Sequence, residues 1–351
     1  MFVSESTRER QSAVGRREIS GKVEKSILAF IEGVQVAYDE AVRRSADLLA
    51  ASAQPVFAHL GADVACAREA IRIADLTGGV LDHVAAESLL CDLDPLRETG
   101  GLTTTPLEAD VRADLVMLIG NIENDAALDW LARPARPHGE PVTRRVVRLA
   151  GGGDSLRSLA ELRWRLKQPA ASGGEHAETA QALAGAKFGV AIWRAAELPA
   201  LAVEAAHGLV RDLNETTRFS TLALAAPDNG LGVQTVCGWM TGFPMRTGFG
   251  RGWPEHDPWR YDARRLVAAG ETDCVIWVSA LPGGAAPTGR VDILFDDGRA
   301  AVAADPRIRF AVSSGGTIFD PRVGTLVASD SAGSAAKTLA AIRERLEATP
   351  C

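Results

Sequence analysis

The amino-acid sequence predicts an α/β protein made of parallel βαβ units arranged in two lobes. Short, wholly apolar segments, typical of strands buried on both faces, alternate with segments whose apolar residues have helical spacing. The chain has 351 residues, of which 46% are hydrophobic, so it is long enough for two hydrophobic cores. Together these observations predict parallel sheets covered by helices.

The first half of the sequence contains three strand-like and three helix-like segments. Apolar runs that predict strands lie at residues 55–61, 111–121 and 144–151. Apolar residues at helical spacing predict helices at residues 35–53, 63–79 and 153–168. The second of these helices ends at Gly78 and Gly79, and the third begins with Asp154 or Ser155 as its N-cap.

The second half repeats the alternation after a linker at residues 169–179. Strands are predicted at residues 187–193, 218–225, 272–282, 310–316 and 323–329. Helices are predicted at residues 198–217, 264–271 and 334–348. Residues 291–298 are ambiguous, and residues 226–262 are predicted to be a loop-rich region.

These elements divide the chain into four predicted parts. Residues 1–34 contain many polar and basic side chains and are predicted to be a flexible arm. Residues 35–168 form the first α/β lobe, and residues 169–306 form the second. Residues 307–351 are predicted to be a C-terminal segment that returns to the first lobe.

Composition argues against several classes of function. The 38 Lys and Arg residues and 45 Asp and Glu residues give a net charge of −7, which argues against nucleic acid as a partner. No apolar run reaches the roughly 18 residues that a membrane-spanning helix needs, so no membrane association is predicted. The five cysteines are widely spaced and include no CxxC pair. This spacing argues against a disulfide framework and against a zinc or iron–sulfur motif, and it favours a reducing cytoplasm.

Residues 81–101 place a histidine, acidic residues and a cysteine close together, which raises the question of a metal or nucleophile site. Cys91 is followed by Asp92 and Asp94, whose charges raise a thiol pKa, so a buried apolar role is favoured for this cysteine. His83 has no second His or Cys three or four residues away, which favours a structural hydrogen bond over metal binding.

A glycine-rich turn at residues 151–154 follows a predicted strand and precedes a predicted helix. Free backbone N–H groups at such a turn can bind phosphate. The turn lacks the GxGxxG pattern and a P-loop lysine, so the start of a helix is the favoured interpretation.

Residues 238–260 combine aromatic, methionine and arginine side chains with Gly and Pro, and have no regular period. Long ordered loops usually serve function, and Trp, Met and Arg are enriched at protein interfaces. An interface with another protein chain is therefore the favoured prediction, while the lining of a ligand crevice and plain core stay open as alternatives. The candidate residues are Trp239, Thr241, Gly242, Phe243, Pro244, Arg246, Arg251 and Trp253.

Three segments give the sequence a specific resemblance to a known family: LVRDLNETTRFS at residues 209–220, GWMTGFPMRTGFGRGWPEHDPWR at 238–260 and LVAAGETDCVIWVSALP at 266–282. They resemble the B subunit of formylmethanofuran dehydrogenase, in the molybdopterin oxidoreductase superfamily. Within this family the resemblance is closest to the B subunits of the formyltransferase/hydrolase complex of methylotrophic bacteria. It spans residues 36–330 and is strongest at Asn214, Glu215, Thr241, Gly242, Pro244, Arg251, Gly252 and Pro254.

The resemblance implies a fold with two Rossmann-like lobes of the molybdopterin-oxidoreductase type. It implies no iron–sulfur N-terminal domain, since the first cysteine is Cys66. The implied work lies in one-carbon metabolism, where formyl groups on a furan-type coenzyme are converted to formate. The implied partners are an amidohydrolase-type A subunit with bound zinc, a formyltransferase D subunit and a C subunit. The B-type chain itself is implied to be cytoplasmic, non-redox and without a cofactor. The placement of Arg246 and Arg251 is the basis of a separate hypothesis, that they pair with carboxylates of a polyglutamate-bearing carrier.

The sequence departs from the redox members of the family where they bind their cofactor. Their soft metal ligand, usually Cys, is matched by Ser88, and a hydroxyl is a poor ligand for a soft metal. Their Gly-x-Asn-Pro motif is matched by Gly-Asn-Ile-Glu at residues 120–123, and the carboxylate of Glu123 would repel a pyrophosphate. These departures predict a vestigial cofactor pocket without catalytic residues or a metal, formed by Asp82, His83, Ser88, Gly120, Asn121 and Glu123.

Three functions are therefore compared. The leading prediction is a non-catalytic B subunit that scaffolds the amidohydrolase and transferase subunits. The alternative is an active molybdopterin-dependent formylmethanofuran dehydrogenase subunit, against which the missing cysteines before Cys66 argue. The third is a nucleotide-dependent enzyme with a phosphate at residues 151–154, against which the missing glycine fingerprint argues.

Overall fold

The computed structural model describes residues 27–137, 139–168, 173–298, 305–328 and 333–348. In these residues the chain forms a nine-stranded sheet, a four-stranded sheet and a two-stranded hairpin, with helices packed on the two larger sheets. The four-stranded sheet is parallel and the nine-stranded sheet is mixed. The predicted α/β class is confirmed.

The elements are numbered in chain order. The strands are β1 Leu28–Ile31, β2 Val34–Val36, β3 Pro55–Gly61, β4 Val80–Leu81, β5 Leu115–Ile119, β6 Arg145–Leu149, β7 Gly189–Trp193, β8 Phe219–Ala223, β9 Thr247–Gly248, β10 Glu255–His256, β11 Cys274–Ser279, β12 Ile293–Asp296, β13 Ile308–Ala311, β14 Ile318–Asp320 and β15 Thr325–Val327. The α-helices are α1 Tyr38–Ala51, α2 Val64–Thr77, α3 Ala86–Thr99, α4 Pro106–Arg112, α5 Gly153–Lys167, α6 Ala177–Ala184, α7 Ala200–Leu213, α8 Gly230–Thr241, α9 Ala263–Ala268 and α10 Ser334–Ala348. Two short 3₁₀ helices lie at Ala126–Ala132 and Ala195–Glu197.

The nine-stranded sheet has the strand order β10-β9-β4-β3-β11-β12-β13-β1-β2. The five strands from β4 to β13 are parallel, whereas the strands at both edges are antiparallel. Helices α1, α2, α8 and α10 cover one face, and α9 packs on the other. Because the central strands are covered on both faces, their sequences are continuous apolar runs rather than alternating ones.

The four-stranded sheet is an insertion between β4 and β9 of the larger sheet, and its strand order is β6-β5-β7-β8. Helices α5, α6 and α7 pack on one face, and α4 with the 3₁₀ helix at Ala126–Ala132 packs on the other. In each sheet the chain reverses its direction of strand addition, beside β3 in one and beside β5 in the other. Open α/β sheets bind ligands outside the carboxyl ends of the strands at such reversal points.

The two sheets divide the chain differently from the two predicted lobes. The predicted boundary between residues 168 and 169 runs through the four-stranded sheet, since β7 pairs with β5. Strand β11, predicted for the second lobe, pairs with β3 of the first. The C-terminal segment adds β13 to the nine-stranded sheet, and its helix α10 packs against α1 and α2. Strand pairing between distant segments decides this division, and local composition carries no signal of such pairing.

Part of the predicted flexible arm is a β-hairpin. Residues 1–26 lie outside the described residues, but β1 and β2 pair with each other and β1 pairs with β13. The turn between them is formed by Glu32 and Gly33, whose φ angles of 49° and 76° are left-handed, as in a two-residue hairpin turn. The prediction of a flexible arm is therefore wrong for residues 28–34.

The predicted loop at residues 226–262 contains the helix α8. Gly230, Gly232 and Gly238 lower the helix propensity of this segment, so the sequence pattern did not predict a helix here. Gly232 is required by packing, because a Cβ at this position would lie 2.3 Å from Oδ1 of Asn229. Burial of Val233, Val236 and Cys237 in the core of the nine-stranded sheet stabilises the helix instead.

Three further differences are local. Helix α4 occupies the start of the strand predicted at residues 111–121, and α6 lies partly in the predicted linker at residues 169–179. Gly152 is the N-cap of α5, in place of Asp154 or Ser155. Across the described ranges, no helix combines the length and apolar character needed to cross a membrane.

Candidate functional site

Asp82 lies at the carboxyl end of β4 and is almost fully buried. Its two carboxylate oxygens accept hydrogen bonds from the backbone N–H groups of His83 and Ala263, each at 2.8 Å. Burial raises the pKa of Asp82 to about 7, while these two hydrogen bonds and the nearby Arg246 guanidinium act to lower it. The carboxyl group therefore ties the end of β4 to the start of α9.

His83 is held as a neutral imidazole. Its Nδ1 accepts a hydrogen bond from the N–H of Ala85 at 3.0 Å, which leaves the ring proton on Nε2, 3.4 Å from the carbonyl oxygen of Asp228. Burial lowers the pKa of His83 to about 3, and the neighbouring His59 adds to this effect. The predicted structural hydrogen bond of this side chain is therefore present.

A second histidine, which the sequence pattern did not single out, lies close to the first with its ring tilted by 58°. The ring centres of His59 and His83 are 4.6 Å apart, and the ring of Trp277 lies 4.8 Å from that of His59. Nε2 of His59 is 3.4 Å from Oδ2 of Asp228, but neither ring nitrogen makes a well-aligned hydrogen bond within the described residues. The available signal was a lone histidine in the apolar strand PVFAHLG.

The loop that carries Asp228 fills the reversal point of the nine-stranded sheet. Asp228 and Asn229 have left-handed φ angles of 55° and 56°, which are uncommon outside glycine. Oδ2 of Asp228 accepts from the N–H of Ala285 at 3.0 Å, and the Asn229 amide donates to the carbonyl of Ala62 at 2.7 Å. This loop therefore covers the place where open sheets bind ligands.

Arg246 is a buried residue at the centre of a charge network that reaches the surface at Glu87. Its guanidinium is 2.7 Å from Asp262, 2.9 Å from Glu87 and 3.7 Å from Asp82, and it donates to the carbonyl of Pro258 at 2.7 Å. These groups occupy the guanidinium that the sequence analysis had assigned to a carboxylated carrier. Arg246 therefore acts as an internal tie between β4, α3 and α9.

Ser88 lies in the first turn of α3, and its hydroxyl donates to the carbonyl of Ala85 at 2.9 Å. Cys91 packs against the core of the four-stranded sheet. Burial raises the pKa of the Cys91 thiol, and Glu87 and Asp92 raise it further. Neither side chain supplies a thiolate at neutral pH, so these two residues offer no soft metal ligand.

The other predicted pocket residues lie at the carboxyl end of a different sheet. Gly120 and Asn121 follow β5, and the N–H of Asn121 donates to Oε2 of Glu197 at 3.2 Å. Glu123 forms an exposed ion pair with Arg148 at 3.4 Å. The structure therefore divides the predicted pocket: Asp82 and His83 follow a strand of the nine-stranded sheet, residues 120–123 follow a strand of the four-stranded sheet, and Ser88 lies on α3.

The carboxylate of Glu197 takes the position of an anion at the reversal point of the four-stranded sheet. It contacts Gly120, where an added Cβ would lie 3.1 Å from Oε2, and Arg194 is 3.7 Å away. The turn at residues 151–154 packs against the same place, with the N–H of Gly152 donating to the Glu197 carbonyl at 3.3 Å. This geometry favours the interpretation of the glycine turn as the start of α5.

A cleft, here called the inter-sheet cleft, lies between the carboxyl edge of β7 and β8 and the helices α3 and α8. It contains adjoining cavities of about 240, 310 and 210 Å³. Ser88 and Arg194 line the last of these. Side chains shared between these cavities include Asp92, Leu96, Arg194, Ala225, Leu231 and Phe319.

The segment from α8 to α9 exposes large apolar side chains, here called the aromatic surface. Its members and their exposed fractions are Trp239 65%, Met240 39%, Phe243 38%, Trp253 57% and Trp259 71%. The helix ends at Gly242, whose φ of 81° is left-handed. The hydroxyl of Thr241 then accepts from the N–H of Phe243 at 3.0 Å. Pro244 accepts from the Thr247 hydroxyl at 2.7 Å, so the segment is ordered.

Not every residue of this segment is exposed. Met245 and Phe249 are buried in the core of the nine-stranded sheet. Arg251 is exposed and pairs with Glu255 at 3.0 Å. The predicted region thus combines core residues, a buried arginine and an exposed apolar surface.

The comparisons with known proteins agree with this geometry. The chain is 37% identical over 271 residues to the B subunit of the formyltransferase/hydrolase complex Fhc of Methylorubrum extorquens, covering 72% of this chain and 75% of that protein. It superposes with a TM-score of 0.83 and 32% identity on a chain from the crystal structure of the formyltransferase/hydrolase complex of Methylorubrum extorquens with methylofuran, covering 91% of this chain and 99% of that one. A shorter match of 35% identity over 81 residues, 23% of this chain and 19% of the other, links it to the B subunit of tungsten-containing formylmethanofuran dehydrogenase 2 of Methanocaldococcus jannaschii. No sequence model of a protein family matches the chain.

Proposed function

This chain belongs to the family of formyltransferase/hydrolase complex B subunits, and from this premise we propose that it is the B subunit of such a complex in one-carbon metabolism. In this role it assembles with the A, C and D subunits while a formyl group passes from a furan-type coenzyme to formate. The observation that carries the proposal is the match over 99% of the length of a chain in the complex with methylofuran, at 32% identity.

The proposal assigns no redox step and no catalytic residue to this chain. Molybdenum and tungsten centres need a soft ligand, and the matching position holds Ser88, whose hydroxyl is bonded to Ala85. Cys91 packs against the core of the four-stranded sheet, and burial together with its acidic neighbours raises the pKa of its thiol, which disfavours the thiolate. The residues present do not fit such a centre. Hydrolysis and transfer are therefore placed on the partner subunits, where zinc is expected.

The same reasoning applies to a pterin dinucleotide. The Glu197 carboxylate stands where a pyrophosphate would approach the end of β5, and Glu123 adds a second negative charge nearby. We retain the molybdopterin-oxidoreductase architecture as an evolutionary proposal, in which the two open sheets correspond to the halves that hold the pterin in the redox relatives. A cytoplasmic location is part of the same proposal and is supported by the free thiols of Cys66, Cys91, Cys237 and Cys274.

The aromatic surface is the proposed contact with a partner chain of the complex. Exposed Trp and Phe side chains are unfavourable in water, and large apolar patches mark interaction sites. The contacts of Arg246 with Glu87 and Asp262 hold the segment between α8 and α9 in place. The aromatic surface is therefore already ordered before a partner binds.

Mutation of the aromatic surface tests the contact. The double variant Trp239→Ser/Trp253→Ser should reduce co-purification of the other subunits by at least about tenfold. Each Trp buried in an interface often contributes about 2 kcal/mol or more to the free energy of binding. The matched control is Trp164→Ser on α5, where the side chain is also 53% exposed but lies on the other sheet. Unchanged assembly of the double variant would exclude this surface as the interface.

Metal and pterin analysis of the purified assembly tests the functional assignment. The expected result is no molybdenum, tungsten or pterin, with formyl hydrolysis that depends on zinc in a partner chain. Ser88→Ala should leave this activity within about threefold, since a difference of that size is under about 1 kcal/mol. Stoichiometric tungsten or molybdenum with a pterin, lost in Ser88→Ala, would instead identify the chain as part of a dehydrogenase.

A further inference from the structure

One cavity of the inter-sheet cleft, with a volume of about 240 Å³, holds two titratable side chains that the proposed assembly role does not use. Asp92 reaches it from α3, and His207 reaches it from α7. The remaining lining is mostly apolar and includes Leu96, Leu231 and Phe319. Binding sites commonly have this composition, with apolar walls and a few polar groups that orient the ligand.

Within the described residues, only one of the two oxygens of the Asp92 carboxylate accepts a hydrogen bond. One oxygen accepts from the indole N–H of Trp193 at 2.8 Å. Within the described residues the other oxygen has no hydrogen-bonding partner, and neither Lys nor Arg lines this cavity. A partly buried carboxylate with an unpaired oxygen can gain a charge-assisted hydrogen bond from a cationic ligand.

His207 lines the same cavity and contacts the same indole. Its ring meets that of Trp193 edge-on, with 5.1 Å between the ring centres. Burial lowers the pKa of His207, and the nearby Arg211 lowers it further, so the imidazole is neutral at pH 7. A neutral imidazole offers one hydrogen-bond acceptor and one donor, and no described residue occupies either.

The geometry points to a binding site for a small organic compound with a primary ammonium group, held by Asp92 and His207. The ammonium donates to the free oxygen of Asp92 and to the acceptor nitrogen of His207. The carbon skeleton packs against Leu96, Leu231 and Phe319. This site goes beyond the proposed assembly role, because it is formed by residues of this chain alone.

Other ligand classes fit the cavity less well. An anion would face the Asp92 carboxylate, and Arg194, which lines an adjoining cavity, is already paired with Asp125 and Glu197. A dinucleotide exceeds a volume of about 240 Å³. No group of three or more His, Cys, Asp or Glu side chains suited to a metal ion occurs in the described residues. An ammonium group supplies both the charge and the donors that Asp92 lacks.

Binding of three matched probes tests the site. The full chain, purified with the proteins that it binds, is titrated by calorimetry with benzylamine, benzyl alcohol and benzoate at about pH 7.5. The ammonium form should bind at least about tenfold more tightly than the alcohol, because hydrogen bonds to charged groups are roughly twice as strong as those between neutral groups. Benzoate should bind more weakly than the alcohol. Equal binding of all three, or no binding of benzylamine at millimolar concentration, would overturn the proposal.

Asp92→Asn separates this site from any amine site on a partner. The amide keeps an oxygen for the Trp193 indole and loses the charge, so the preference for benzylamine over the alcohol should fall by about tenfold. The control Asp94→Asn lies on the same helix with its side chain 52% exposed, and should leave the preference unchanged. An unchanged preference in Asp92→Asn contradicts the proposed ligand contact.

The stability of the unliganded chain gives an independent readout. Burial raises the pKa of Asp92 from 3.8 to about 6, so the folded state loses stability as the pH rises through this range. Asp92→Asn should therefore be at least as stable as the wild type at about pH 8 and show no such gain at about pH 4. A clear loss of stability at the higher pH would mean that the chain already pairs the carboxylate, and would overturn the proposal.

Discussion

At the carboxyl end of the nine-stranded sheet Asp82 and Arg246 are buried, whereas at the same end of the four-stranded sheet Glu197 and Arg194 are partly exposed. The side chains of Asp82 and Arg246 are 5% and 10% exposed, compared with 36% for Glu197 and 27% for Arg194. Both ends are filled by residues of the chain itself. The comparison shows that equivalent positions in two open sheets can be filled by side chains of different burial, and burial determines how much each of these side chains should contribute to stability.

Removing the buried cation should have the largest effect. Arg246→Ala leaves the carboxylates of Asp82 and Asp262 without their counter-charge, and loss of one partner of a buried ion pair typically costs about 3–5 kcal/mol. Urea unfolding of the full chain measures the change in free energy. Arg251→Ala, which breaks an exposed pair with Glu255, should cost at most about 1 kcal/mol. Equal effects of the two variants would show that burial is not the difference between them.

The buried pair Asp82 and His83 should give opposing pH dependences. The raised pKa of Asp82 means that its contribution to stability is present at low pH and is lost between pH 3.8 and about 7. The lowered pKa of His83 means that its contribution is present above pH 6.5 and is lost as the pH falls toward about 3. In the wild type the two effects largely cancel between about pH 4 and the ordinary histidine pKa.

Single variants of this pair should reveal each effect alone. His83→Gln should lose stability as the pH rises from about 4 to about 7, and Asp82→Asn should lose it as the pH falls from about 6.5 to about 4. The slopes should be at most about 1.4 kcal/mol per pH unit, the value for one proton. Urea midpoints across this range measure them, and two variants with slopes of the same sign would contradict the assignment.

The exposed carboxylate should have the smallest effect. Glu197→Ala removes a hydrogen bond from the N–H of Asn121 and a solvent-exposed ion pair with Arg194, so the expected loss is about 1 kcal/mol. This loss should shrink in high salt, unlike that of Arg246→Ala. A loss above about 3 kcal/mol would place Glu197 in the same class as the buried network and remove the contrast between the two sheets.

The sequence predicted the parts of the site that depend on local chemistry. The acidic neighbours of Cys91 and the absence of a His or Cys three or four residues from His83 could be read directly from the sequence. The structural roles of His59 and Asp228 were not, because each is defined by a contact with residues far away in the chain. The buried position of Arg246 was not visible for the same reason, since its three carboxylate partners come from three separate elements.

The sequence by itself determined the α/β class, the bounds of elements such as β3 and α10, and the family to which the chain belongs. These follow from apolar periodicity and short motifs, which report how residues a few positions apart share a surface. Only the tertiary structure decided that residues 115–223 form a separate sheet, that Arg246 is buried while Trp239 is exposed, and that Asp92 and His207 share a cavity. Strand pairing and side-chain burial join distant segments, and the free energy of such contacts leaves no local periodic signal.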